Sequence, residues 1–76
     1  MTDERHPIYE IRVRGYLRPE RLRHFDGWEI TWQPNGETVL VGRVRDQSAL
    51  FGLLNWLYAL GVELLLVRCG GDEELG

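Results

Sequence analysis

A chain of 76 residues is enough for one domain, and at this size folding buries only ~60% of the surface that the unfolded chain exposes, so the core is marginal. Nine arginines, no lysine and twelve acids leave a net charge of −3, which argues against a nucleic-acid module, because such modules are usually basic. A single cysteine excludes an intramolecular disulfide, and nothing at the start has the apolar stretch of a signal peptide, so a reducing, cytoplasmic setting is the expectation.

Residues 1–7 are charged and polar and are expected to form a flexible N-terminus ahead of a single domain over 8–69. The domain opens with alternation over 8–17, where Tyr9, Ile11 and Val13 point one way and Glu10, Arg12 and Arg14 the other, as in a half-buried strand. Over 18–26, Pro19 suits a first helical position, Leu22 and Phe25 lie three apart, and Gly27 is a stop, which leaves room for two turns at most. Trp28, Ile30 and Trp32 alternate with Glu29, Thr31 and Gln33. Pro34, Asn35 and Gly36 then supply turn chemistry before a strand over 38–44, so a hairpin is predicted. Asp46 is a good N-cap for a helix over 47–60, with Leu50, Leu53, Leu54, Leu57 and Leu60 along one face and Gly61 as its C-cap. A final strand covers 62–69, and 70–76 is an acidic, glycine-rich stretch expected to be a disordered tail. The apolar run over 49–67 nears the ~20 residues of a membrane span, but a helix and a strand divided at Gly61 explain the glycine and a span does not.

This order of elements predicts an α+β two-layer sandwich of the ferredoxin-like split βαβ kind, with one short and one long helix on one face of four antiparallel strands in spatial order 4-1-3-2. No charged side chain occurs from 47 to 62, although charged residues make up 28% of the chain. A helix on the outside of a small domain normally carries charges on its outward face. Here that face shows Ser48, Gly52, Asn55 and Ala59. At ~100° per residue Trp56 lies on one flank of it, and Phe51 and Tyr58 on the other. Either those aromatics widen the helix's own core contact or a partner covers them. A second apolar surface is expected on the open sheet face, where Val39, Val41, Leu64 and Leu66 lie among Arg12, Arg14, Arg43 and Arg68. The function expected is therefore a non-enzymatic protein-interaction domain that self-associates as a dimer, through a surface drawn from Phe51, Trp56, Tyr58, Val39, Val41, Leu64 and Leu66.

Other chemistries find weaker support. His6, His24 and Cys69 lack the closely spaced pair that a zinc site needs, and nothing aligns Cys69 with a histidine base. Gly70 and Gly71 precede acids, with no Lys-Ser/Thr for a phosphate loop. The two central strands, which expose Glu10, Arg12 and Arg14 and Val39, Val41 and Arg43, offer no outward aromatic on which RNA bases would stack. No catalytic residue, metal, cofactor, nucleic-acid partner or membrane span is expected. The alternative function is a small-molecule or regulatory-ligand binding domain that uses the cleft beside Phe25, His24, Trp28 and Trp32.

The chain reads Ile11-x-Val13-x-Gly15-x-Leu17, then Gly36-x-Thr38-x-Leu40-x-Gly42-x-Val44-x-Asp46-Gln47-x-Ala49-Leu50, then Gly52-Leu53-Leu54, Leu57, Leu60-Gly61 and Leu64-Leu65. In these positions, from Tyr9 through Val67, it resembles a group of small stand-alone uncharacterised bacterial proteins with a D-Q-x-A-L helix start. The resemblance implies a single domain and brings no activity with it. Trp56, Ala59 and Leu66 depart from that group, whose members often carry a charged or polar residue there.

Overall fold

The alternation that passes through Ile11 and Val13 forms strand β1, Ile8–Arg14, and both of these side chains are fully buried. The computed structural model describes residues 6–70; most of the expected N-terminal segment and all but the first residue of the expected tail lie outside them. β1 stops at Arg14, three residues before the alternation does. The reason is Gly15, whose φ of +100° is a conformation that side-chain-bearing residues rarely adopt and that turns the chain out of the sheet.

Leu17 is nevertheless buried, because the departing backbone is tied down by Thr38. This threonine, fully buried itself, donates its hydroxyl to Gly15 O at 2.7 Å and accepts from Leu17 N–H at 3.2 Å. A short 3₁₀ helix follows, Pro19–Phe25, with a kink at Leu22 that lets Leu22 and Phe25 both face the interior. The next two strands, β2 (Glu29–Trp32) and β3 (Glu37–Arg43), form the predicted hairpin. Its turn is closed by Gly36 N–H to Gln33 O at 3.0 Å and Gln33 N–H to Glu37 O at 2.8 Å, and Asn35 Oδ1 accepts from Glu37 N–H as turn asparagines do. Helix α1, Gln47–Ala59, starts at Asp46, whose carboxylate accepts from Ala49 N–H at 2.8 Å. Strand β4 is Glu63–Cys69.

The four strands make one open sheet in the order β2-β3-β1-β4, and every neighbouring pair is antiparallel. Read from the other edge, this is 4-1-3-2. One face of the sheet is covered: Ile11, Val13 and Leu40 pack with Leu22 and Phe25 of the short helix and Leu50 and Leu57 of α1 in a single cluster. On that face Gly42 leaves bare backbone under the indole of Trp28, which stands edge-on to Phe25. A methyl group at Gly42 would lie 2.3 Å from the ring, so only glycine admits this packing. The β1–β4 ladder contains a bulge between Arg12 and Val13. Arg12 pairs with Leu66 and Val13 with Leu64, leaving Leu65 without an opposite residue.

Thr38→Val keeps the shape of the side chain but strands a carbonyl and an amide in the interior, and such orphaned groups cost about 1–3 kcal/mol. Thermal or urea unfolding is expected to show a loss of that size; an unchanged midpoint would mean that water reaches Gly15 O and Leu17 N in its place.

Candidate interaction surface

The uncovered face of the sheet is where most of the ionic chemistry lies. Arg12, in the middle, donates through Nε to Glu10 Oε2 at 2.7 Å and lies 3.7 Å from Glu37. Glu10 also receives Arg68 on its other oxygen at 2.6 Å, and Arg14 pairs with Glu63 at 3.0 Å. The two guanidinium groups on Glu10, that of Arg12 foremost, hold its carboxyl below the usual range despite partial burial, which opposes the shift. Isolated surface ion pairs contribute little. These do more by covering surface, since the arginine stems are apolar.

That cover decides the fate of the expected sheet-face patch. Val39 lies between Thr31 and Arg12 in the register and is only 7% exposed, although no helix reaches this side. Val41, between Glu29 and Glu10, and Leu66, opposite Arg12, are half-buried. Leu64 does not join them. The bulge sets it opposite Val13, and residues opposite one another in an antiparallel ladder share a face, so Leu64 belongs to the helix side, where it is 43% exposed. Trp28, Ile30 and Trp32 are turned to the helix side, Trp28 against Gly42, Ile30 opposite Leu40 and Trp32 opposite Thr38.

The outward surface of α1 is uncharged, as its sequence requires, but its aromatics divide. Trp56 stacks on His24 with ring centroids 4.2 Å apart, and its Nε1 donates to Arg21 O at 3.0 Å. It ties α1 to the short helix. Phe51 and Tyr58 have no such role and are 58% and 83% exposed. Because Trp56 faces the short helix, the opposite flank of α1, with Leu54, Phe51 and Tyr58, lies on the side of the helix away from it, and α1 also approaches β4. On the helix side of β4, Leu64 and Val67 are 43% and 38% exposed. The flank was legible as one side of a helical wheel; Val67 was not, because it reads simply as a strand residue.

The cleft residues considered for a ligand are engaged with one another. Phe25 is buried under Trp28, His24 lies against Trp56, and Trp32 donates its indole N–H to Leu17 O at 2.9 Å. Cys69, at the end of β4, is exposed and stands opposite Tyr9, whose hydroxyl it pushes up by hydrogen bonding. Among the described residues no three His, Cys, Asp or Glu side chains are gathered to hold a metal ion, and no helix is long and apolar enough to cross a membrane.

A family model described as Domain of unknown function (DUF8691) matches residues 8–68, which is the whole of the sheet-and-helix unit up to the penultimate residue of β4. The chain belongs to this family. DUF8691 carries no assigned activity in its description, so nothing beyond fold-sized kinship follows from membership. Searches of curated proteins and of solved structures gave no match.

Two measurements check this geometry. Trp56→Ala removes the stack on His24 and the bond to Arg21 O, and is expected to lower stability by about 2 kcal/mol, as losses of partly buried packing do; a change in oligomeric mass with unaltered stability would put Trp56 on an outer surface instead. For Glu10, a carboxyl held low in the folded chain adds stability that is fully present above the ordinary carboxyl value near 4.5 and fades as pH falls toward the lower folded value. The urea midpoint is therefore expected to drop below pH ~4.5, and Glu10→Gln to flatten that drop while lowering the neutral-pH midpoint. Parallel pH profiles for the two proteins would show the carboxyl to be unpaired in solution.

Proposed function

We propose that this DUF8691 chain is a non-enzymatic protein-interaction domain of ferredoxin-like split βαβ architecture that associates with a second copy of itself. The observation that carries it is the pair of exposed aromatics, Phe51 and Tyr58, on a helix with no charged residue from 47 to 62. Soluble monomers seldom tolerate contiguous apolar patches of this kind. The helix side of β4 adds two more exposed apolar side chains, Leu64 and Val67. Aromatic anchors within such patches carry much of the binding energy when a partner covers them. The small core of a 76-residue domain gains further from that cover. A bacterial, cytoplasmic home is part of the proposal. Its support is the arginine-only basic composition, the lone cysteine and the likeness to small bacterial proteins with the Asp46-Gln47-x-Ala49-Leu50 helix start.

The alternative, a ligand in the cleft by Trp28 and Trp32, has less behind it because the aromatic groups there already pack on one another and on Gly42. A change of tryptophan fluorescence on adding small metabolites would favour it.

Phe51→Lys with Tyr58→Glu is expected to halve the mass measured by light scattering and to leave the helical circular dichroism in place, because both side chains are exposed in the single chain. A wild-type protein that runs as a monomer at high micromolar concentration rules self-association out.

A further inference from the structure

We infer that two copies join by antiparallel pairing of their β4 edges about a two-fold axis, which makes one eight-stranded sheet with the α1 flanks meeting across it. This rests on the self-association proposed above and names the surface used. Among the described residues, β4 has β1 on one side and no strand on the other. Gly70 N–H donates to Ile8 O, and the alternation of an antiparallel ladder then turns the N–H and C=O groups of Cys69 and Val67 away from β1, toward the free edge. Long apolar edges are usually blunted by lysine, proline or shortness. This one has seven residues, Glu63-Leu64-Leu65-Leu66-Val67-Arg68-Cys69, and contains neither lysine nor proline.

The choice of a second copy over any other strand comes from the charges. Glu63 and Arg68 are five residues apart, so an unbroken strand would put them on opposite faces. The bulge beside Leu65 shifts the alternation by one, and both lie on the open face, Glu63 against Arg14 and Arg68 against Glu10. The same shift puts Leu64 and Val67 together on the helix side, opposite Val13 and Ile11. The strand thus reads acid, apolar, apolar, apolar, apolar, base. Turned end for end against itself, it places Glu63 opposite the second copy's Arg68 on one face and Leu64 opposite the second copy's Val67 on the other, twice over by symmetry. Bulges on edges often serve to turn partners away; here the bulge is what makes the edge complementary to itself. The other edge, β2, has four residues and no base to answer Glu29.

The test uses the full chain and two charge reversals, Glu63→Arg and Arg68→Glu, both at exposed side chains. Each variant alone sets like charges against each other in the two-fold pair, and its dimer dissociation constant is expected to rise at least tenfold while its circular dichroism stays native. Mixed in equal amounts, they restore opposite charges at both positions, and native mass spectrometry is expected to show the heterodimer. If both variants dimerise as the wild type does while Phe51→Lys with Tyr58→Glu still dissociates, edge pairing is wrong and association through the helix stands. If the wild type is itself monomeric, both proposals fall. A nitroxide on Cys69 gives a reading that needs no variant: in the two-fold pair the labelled backbones are roughly 20–25 Å apart, about seven residues of strand, and a distance far outside that range overturns the arrangement.

Discussion

The side chain of Arg12 closes the unroofed side of the sheet, covering surface between strands. Only one face of the four strands is covered by helix, so the other must protect its central strands with side chains of its own. Arg12 reaches Glu10 on its own strand and Glu37 on β3, and Glu10 in turn reaches Arg68 on β4. Three strands are bridged in this way. Val39, beside Arg12 in the register, is 7% exposed, close to Leu17 and Leu50 of the helix-side core at 6%. Because Glu10 is shared between two arginines, the arrangement also fixes where Arg68 stands, and hence which face of the β4 edge is positive.

Closing that side with ions leaves the apolar surface of the molecule on the helix side and at one edge. The short helix has two buried anchors, Leu22 and Phe25, and takes Trp56 from α1 as a third contact, so the short-helix end of the layer is filled from within. At the β4 end no second element among the described residues comes forward to cover Phe51 and Tyr58. A layer of one long and one short helix over four strands is lopsided, and the exposed aromatics mark its thin side. The tryptophans follow the same division: Trp28 lies on Gly42, Trp32 is pinned to Leu17 O and Trp56 to Arg21 O, so each is used to stabilise the chain internally.

Much of this was readable from local chemistry. Every strand, the hairpin turn at Asn35 and Gly36, the Asp46 cap and the leucine stripe depend on residues near one another in sequence, and the strand starts and helix limits fall within a residue or two of expectation. The early end of β1 was less legible, since the pattern of side chains continues to Leu17 while Gly15 turns the backbone. The partners of Trp56 were not legible for a different reason: a helical wheel gives its angle but not the position of the short helix, whose His24 and Arg21 O meet it from 32 and 35 residues away in sequence. Leu64 could not have been placed at all. Leu64, Leu65 and Leu66 are identical in type, so nothing in the run marks where the ladder gains a residue, and a shift of one exchanges the faces of everything beyond it.

That insensitivity bears on how the surface arose physically. In a run of like residues, a bulge costs no side-chain preference, because any leucine in it accepts either face. The charged ends are what register the shift, since Glu63 finds Arg14 and Arg68 finds Glu10 only when one residue between them is left unpaired with β1. The ion pairs on the open face and the bulge therefore select each other. Removing the extra residue would send either Glu63 or Arg68 across to the helix side, next to Val13 or Ile11, and away from the Arg14 or Glu10 with which it pairs. The same constraint that closes the sheet internally is what leaves β4 with an acid at one end, a base at the other and leucine between.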